Sequence, residues 1–243
     1  MNSGIPALEL YAIDTLLSGE ERAVRDSVTA WAADHVRPHL SGWFAAGAPP
    51  VRELAGELGR LGVLGMHLDG YGCAGAGAVE YGMACFALES VDSGLRSLMS
   101  VQGSLAMFAI HHFGSEDQKQ QWLPGMAAGK TIGCFGLTEA EFGSNPAGML
   151  TRARRDGTDW VLDGSKTWIT NGTVADVAII WARTVDDGTD EGGRVRGFIV
   201  PTDSAGFTAG EITDKLSLRA SATAGLSLSG VRVPAEAMLP DAV

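Results

Sequence analysis

The chain has 243 residues, 45% hydrophobic and 19% charged, with a formal net charge of −11 at pH 7, enough length to bury one large core or two smaller ones. The acidic balance and the lack of any Lys/Arg run exclude a nucleic-acid surface, which needs clustered cations against phosphates. Cys73, Cys85 and Cys134 are odd in number and irregular in spacing, which argues against a disulfide framework or thiolate metal site and suits a reducing cytoplasm.

The first residues, MNSGIPALELYAIDTLL, carry no basic segment ahead of their apolar ones, and no stretch reaches the length of a membrane span, so an unprocessed cytoplasmic start is expected. Ser18 followed by Glu20 and Glu21 predicts a helix start, and Val24, Val28, Trp31, Ala32 and Val36 recur at helical spacing as far as Pro38. His35 and His39 have a metal-ligand spacing, but Pro38 lies between them and no carboxylate follows in pattern, so solvated histidines are expected. Pro49 and Pro50 open a second helix through Val51, Leu54, Leu58 and Leu61, followed by the loop GVLGMHLDGYGCAG. The 33 glycines cluster at Gly62–Gly77 and Gly188–Gly197, where tight loops are expected.

Tyr81, Ala84, Cys85, Leu88 and Val91 predict a helix from Ala78, and the pattern continues over Leu98–Ile110 and Glu116–Met126. Met99 and Met107 suit core filling, with a greasy pocket as the other option. His111 and His112 point about 100° apart on a helix and are expected to be structural. After Lys130 the character changes: WVLDGSKTWIT, ADVAIIWARTV, VRGFIVPT and GLSLSGVRVP are β-branched or aromatic runs separated by turn residues. The expected class is α+β, with an all-α domain over residues 1–130 and an antiparallel barrel or sandwich over 131–243.

Two stretches carry the chemistry, CFGLTEAEFGS from Cys134 to Ser144 and SKTWITN from Ser165 to Asn171. A large polar aromatic cofactor needs backbone amides and hydroxyl donors along its edge, an apolar wall for its face, and donors near glycine for its phosphates. Threonine is also a good strand former and tryptophan a good core anchor, so each residue alone has a purely structural explanation. As ordered segments, the two stretches resemble the flavin-binding segments of the acyl-CoA dehydrogenase family, closest to its glutaryl-CoA dehydrogenase branch.

The resemblance implies FAD as cofactor. Phe135, Gly136, Leu137 and Thr138 would line the ring, and Gly143 and Ser144 would lie near the phosphates or the acyl-CoA. Trp168, Ile169 and Thr170 would stand beside the isoalloxazine, with Thr170 reaching toward N5. ESVDSGLRSLMS is similar to the segment of that branch that meets the far carboxylate of a dicarboxylic acyl-CoA. It implies Glu89, Arg96 and Ser97 as substrate contacts, with Ser144 also near substrate; the alternative for Arg96 is a surface pair with Asp92, four residues earlier. LSLRASAT, Leu216–Thr223, matches a further segment of the branch, in which Arg219 touches substrate or closes a turn. Ala140 and Asn145 depart from the family's usual proline and aspartate.

The resemblance covers nearly all of this chain but about two thirds of a family member, leaving the C-terminal helical domain unmatched. That domain carries the family's proton-abstracting glutamate, and Glu139 is not that base, so no catalytic residue is assigned here. A separate helical chain, a longer protein, or a noncatalytic role would each account for this. The implied activity is α,β-dehydrogenation of a short acyl-CoA or acyl-carrier-protein thioester, dicarboxylic and glutaryl-like, with decarboxylation as a possible further step. The implied partners are an electron-transfer flavoprotein and further subunits of a homo- or hetero-oligomer. The alternatives are a noncatalytic flavin- or thioester-binding subunit and a flavin monooxygenase on the same fold.

Overall fold

A computed structural model describes residues 12–185 and 193–242. The expected start of the chain, and the glycines from Gly188 to Gly192, lie outside the described residues. Helix α1 (Gly19–His35) begins at a capping box: Ser18 Oγ accepts from the Glu21 amide at 3.2 Å, and the Glu21 carboxylate accepts from the Ser18 amide at 2.5 Å. Val28, Trp31 and Ala32 form its buried stripe. A short helix absent from the periodicity, α2 (Leu40–Ala46), follows and stops at Gly47, whose φ is +67°.

Pro50 stands at the N-cap of α3 (Val51–Arg60), which buries Val51, Leu54, Ala55 and Leu58. Leu61 falls past its end and is 37% exposed, not on the buried stripe. Helix α4 (Ala78–Glu89) ends as Asp92 caps α5 (Ser93–Ser100), accepting from the Gly94 and Leu95 amides at 2.8 and 3.2 Å. The stretch read as one helix over Leu98–Ile110 begins earlier and changes pitch. Val101–Met107 is a π-helix, and α6 (Phe108–Phe113) resumes the α form. Helix α7 (Glu116–Ala127) starts at a second capping box, Ser115 with Gln118.

Among the described residues, seven strands form one sheet: β1 (Gly133–Gly136), β2 (Arg152–Asp156), β3 (Asp159–Thr170), β4 (Val177–Val185), β5 (Val195–Pro201), β6 (Phe207–Glu211) and β7 (Thr223–Pro234). Its order is β1-β4-β2-β3-β7-β6, with β5 on the other side of β4. The α+β division into helices and then strands holds, and the pairing refines the antiparallel expectation. Both β1 and β2 run parallel to β4, whereas β3, β5, β6 and β7 pair antiparallel. Parallel pairing needs a return path, here β3, which runs back antiparallel to β2 before the chain enters β4, and alternation of residues along a strand carries no record of it.

β1 and β2 lie end to end along one edge of β4, at Val177–Ile180 and Arg183–Val185. The chain from Leu137 to Thr151 leaves the sheet through the gap between them. One face of the sheet, with Val177, Ile179 and Ile199, packs on Met107, Ile110, Leu123 and Met126. The other encloses Cys134, Leu162, Ile180, Phe198, Leu226 and Leu228. A separate helical cluster holds Leu58, Leu64, Leu88 and Met99. Met99 and Met107 are fully buried core residues.

Polar ties join helices to sheet. The Arg52 guanidinium meets Asp176 at 2.7 Å, and Asp176 also accepts from the Ile132 amide at 2.8 Å. Gln102, buried in the π segment, donates to the Met126 and Thr131 carbonyls at 3.1 and 2.8 Å and accepts from the Gly133 amide at 2.7 Å. Arg219 closes onto α2: it donates to the Phe44 and Ala45 carbonyls at 3.0 and 3.2 Å and lies over the Phe44 ring. His35 stacks on Trp31, His39 on Trp43 and His112 on Phe108, and a His111 ring nitrogen lies 2.9 Å from the Asp69 carbonyl oxygen.

Candidate functional site

The two stretches singled out in the sequence meet where β1 leaves the sheet. On β3, Lys166 faces Leu226 of β7 and Ile169 faces Ala224, so β3 carries one extra residue at Thr167–Trp168. Such a bulge frees a backbone amide from the ladder and re-aims a side chain. The freed Thr167 amide donates to the Thr138 carbonyl at 2.9 Å. Trp168 takes a left-handed backbone, φ +61°, and its side chain stands 62% exposed beside the junction. A non-glycine residue pays strain for that conformation, and an indole held out in this way is no core anchor.

Behind the junction lies a buried polar cluster that the sequence reading did not single out. Lys166 is 2% exposed and its ammonium donates to Glu139 Oε1 at 2.8 Å and to the Leu137 carbonyl at 3.1 Å. Glu139, 6% exposed, also accepts from the Leu150 amide at 2.6 Å, the Thr151 amide at 2.9 Å and the Thr151 hydroxyl at 2.5 Å. Burial by itself would raise the Glu139 pKa, but the Lys166 ammonium, the Thr151 hydroxyl and the two amides outweigh it and push it down to about 2. Burial likewise lowers the Lys166 pKa, and Glu139 opposes the shift.

The signal was present in the alternation: Trp160, Leu162, Gly164 and Lys166 share a parity, and a lysine on the inner face of a strand demands buried acceptors. Gly136 makes room for it, since a Cβ there would lie 2.7 Å from Ile180 Cδ1 and 3.3 Å from Lys166 Cγ.

Several donors on the open side remain unused. Among the described residues, the Thr138 amide and the half-buried Thr138 and Thr170 hydroxyls have no hydrogen-bond partner. Phe135 and Gly136 belong to β1, Leu137 is half-buried, and Ile169 is buried. Gly143 and Ser144 project on the exposed loop, with nothing within 4 Å of a Cβ built on Gly143. A spare amide, two spare hydroxyls and a protruding indole at one junction fit a planar ligand with a polar edge, as a flavin has.

The second group of residues lies on α4 and α5. Arg96 Nε meets Glu89 Oε2 at 2.8 Å and its Nη1 reaches Ser100 Oγ at 3.2 Å, while Ser93 donates to the other Glu89 oxygen. The surface pair of Arg96 with Asp92 does not form, because Asp92 is spent on the α5 cap. Ser93, Arg96 and the Glu89 it faces form one partly exposed array, with the half-buried Ser97 next to Arg96. Tyr81 lies nearby on α4, hydrogen-bonded to Ser104 at 2.5 Å, and burial raises its pKa to about 12.

Among the described residues no group of three or more His, Cys, Asp or Glu is placed to hold a metal ion, and no helix is long and apolar enough to cross a membrane. Residues 18–130 match the model of the acyl-CoA dehydrogenase N-terminal domain, and residues 134–231 match that of the middle domain. The short-chain specific acyl-CoA dehydrogenase of Rattus norvegicus is 39% identical over 75% of this chain and 44% of its own length. The long-chain specific enzyme of Sus scrofa is 35% identical over 93% of this chain and 53% of its own.

A glutaryl-CoA dehydrogenase from Mycobacterium smegmatis, solved in complex with FADH2, is 59% identical with a TM-score of 0.91, over 97% of this chain and 59% of that one. Butyryl-CoA dehydrogenase from Megasphaera elsdenii superposes with a TM-score of 0.85 at 31% identity, over 93% of this chain and 60% of that one. The chain thus spans about half the length of the relatives it matches. With both domain models matched in order and a glutaryl-CoA dehydrogenase-like fold, this chain belongs to the acyl-CoA dehydrogenase family and carries its N-terminal and middle domains.

Proposed function

We propose that these domains supply one wall of an FAD site and the acyl-binding residues of an α,β-dehydrogenase acting on a short, dicarboxylic acyl thioester of the glutaryl-CoA type. The observation that carries this reading is the hydrogen bond from the Thr167 amide to the Thr138 carbonyl, which sets Thr138, Trp168 and Thr170 around one junction. Phe135–Thr138 would hold the ring edge, with Gly143 and Ser144 nearer the phosphates and Trp168, Ile169 and Thr170 beside the ring. When bound, FAD supplies the hydride acceptor.

Glu89, Arg96 and Ser97 would receive the far carboxylate of the substrate. A guanidinium offers forked donors to a carboxylate, and Arg96, already held by Glu89, has its Nη2 without a hydrogen-bond partner among the described residues. A monocarboxylic chain would instead need an apolar lining. The proton acceptor must be another group than Glu139, whose carboxylate is saturated by four donors and stays ionised with a pKa of about 2, far below that of a working base. A carboxylate outside these 243 residues fits the role, carried by a helical segment or partner, with an electron-transfer flavoprotein as the acceptor of electrons.

Anaerobic titration of the FAD-loaded native complex tests the reading. Glutaryl-CoA should bleach the flavin absorbance and butyryl-CoA should do so less readily. Failure of both thioesters to bleach it excludes the dehydrogenase and leaves the binding subunit or the monooxygenase.

A further inference from the structure

The Leu137 carbonyl and the Thr138 N–H are the two ends of one peptide group. In a trans peptide they point in opposite directions, so a donor on the carbonyl side reinforces the N–H on the other. On the inner side the Lys166 ammonium donates to the Leu137 carbonyl at 3.1 Å; on the outer side the Thr138 N–H has no partner among the described residues. The next carbonyl along, that of Thr138, is fixed by the Thr167 amide. Consecutive residues of β3 therefore grip consecutive carbonyls of the 137–138 segment, and the residue after them is Trp168.

A buried ion pair is a poor source of stability compared with apolar packing of the same volume. The Lys166 stem already packs on Gly136 within the core. The ammonium therefore has a directional use. We propose that Lys166 is a positioning residue: it fixes and polarises the Leu137–Thr138 peptide so that the Thr138 N–H is a strengthened donor to the polar edge of the ligand. Glu139 in turn anchors Lys166 to the start of β2. This rests on the flavin reading above for the identity of the ligand, but not for the hold on the peptide.

The test compares Lys166→Met, Glu139→Gln and the double variant Lys166→Met/Glu139→Gln in the full chain. Hydrogen–deuterium exchange is read for the peptide covering residues 135–140 and for the one covering 149–152, and FAD affinity is read by titration. Lys166→Met should speed exchange over residues 135–140, whose protected amides are those of β1 and Glu139, and weaken FAD by about 2–10-fold, the loss expected for one misplaced neutral donor. Glu139→Gln, whose amide oxygen can still accept from Lys166, should mainly loosen 150–151 and weaken FAD less than Lys166→Met.

The double variant removes the unpaired charge and protects the comparison should Lys166→Met fail to fold; its stability should recover while its FAD affinity does not. Equal effects of the two single variants at both peptides, or recovery of FAD affinity in the double variant, would overturn the proposal. If the parent chain binds no FAD, the flavin reading falls for this chain, and the exchange pattern still decides whether Lys166 holds the peptide.

Discussion

Gln102 offers the sharpest test of how the helices are joined to β1. It sits 1% exposed in the π segment and makes three hydrogen bonds at 2.7, 2.8 and 3.1 Å to the backbone on either side of the helix-to-strand crossing. In Gln102→Met the shape is nearly kept and the three bonds are lost. The Met126 carbonyl retains the Gly129 amide at 3.1 Å, so two groups are orphaned: the buried Gly133 N–H and the half-buried Thr131 carbonyl. An unsatisfied buried group costs about 1–3 kcal/mol, and a half-buried one sits at the lower end, which gives about 2–4 kcal/mol in total.

The site has little room to relax, since a Cβ on Gly133 would already lie 2.6 Å from Met126 Cε and 2.8 Å from Ala106 Cβ. Urea titration followed by far-UV circular dichroism should show a lower midpoint at an unchanged slope. Gln102→Glu should be worse at neutral pH, because a carboxylate would face two carbonyls in place of the amide donor. A loss below about 1 kcal/mol for Gln102→Met, or a harmless Gln102→Glu, would refute the assignment.

The remaining predictions concern the site. Glu139 has a folded pKa of about 2 against an ordinary 4.5, so its contribution to stability is full above the higher value and is lost as pH falls toward the lower; urea midpoints measured across that range should fall with pH in the parent, and an equal fall in Glu139→Gln would refute the assignment. In Gly164→Ala the new Cβ would lie 2.5 Å from Thr151 Oγ1 and 2.7 Å from Thr151 Cα, at φ +151°, and thermal melts should show a loss of about 1–3 kcal/mol, against a near-neutral Gly143→Ala. Arg96→Ala should lower kcat/KM for a dicarboxylic thioester by about 10–100-fold more than for a monocarboxylic one, and equal losses would make Arg96 structural. Thr170→Val should alter the absorbance of bound flavin, and an unchanged spectrum and rate would remove Thr170 from the ring.

Much of the helical half was legible because its buried residues recur at one period: Val28, Trp31 and Ala32 in α1, and Val51, Leu54 and Leu58 in α3. Leu40–Ala46 was not, since seven residues with a glycine inside carry too little periodicity. The long strands β3, β4, β5 and β7 announced themselves through β-branched and aromatic residues, whereas β2 reads RARRD, a polar run held as a strand by its neighbours on both sides. At the site, the two ligand-facing segments stood out as ordered motifs. The Lys166–Glu139 pair behind them did not, because the partners lie 27 residues apart in sequence and the inward parity of Lys166 names no partner. Glu89 and Arg96 stood together in the resemblance as substrate contacts, with Asp92 as the alternative partner for Arg96; a cap and an intrahelical pair compete for one carboxylate, and the cap won.

The π stretch at Val101–Met107 has a consequence for the tolerance of this region to change in length. A wide turn of this kind holds surplus chain within an otherwise α-helical rod. Deleting a single residue there would let the rod close to ordinary pitch with the downstream residues near their present faces, whereas inserting one would swing everything downstream by about 100° and advance it about 1.5 Å. Ala109 and Ile110 would leave the core, and His111 and His112 would turn toward it. An insertion should therefore be far less acceptable between Val101 and Met107 than the loss of a single residue.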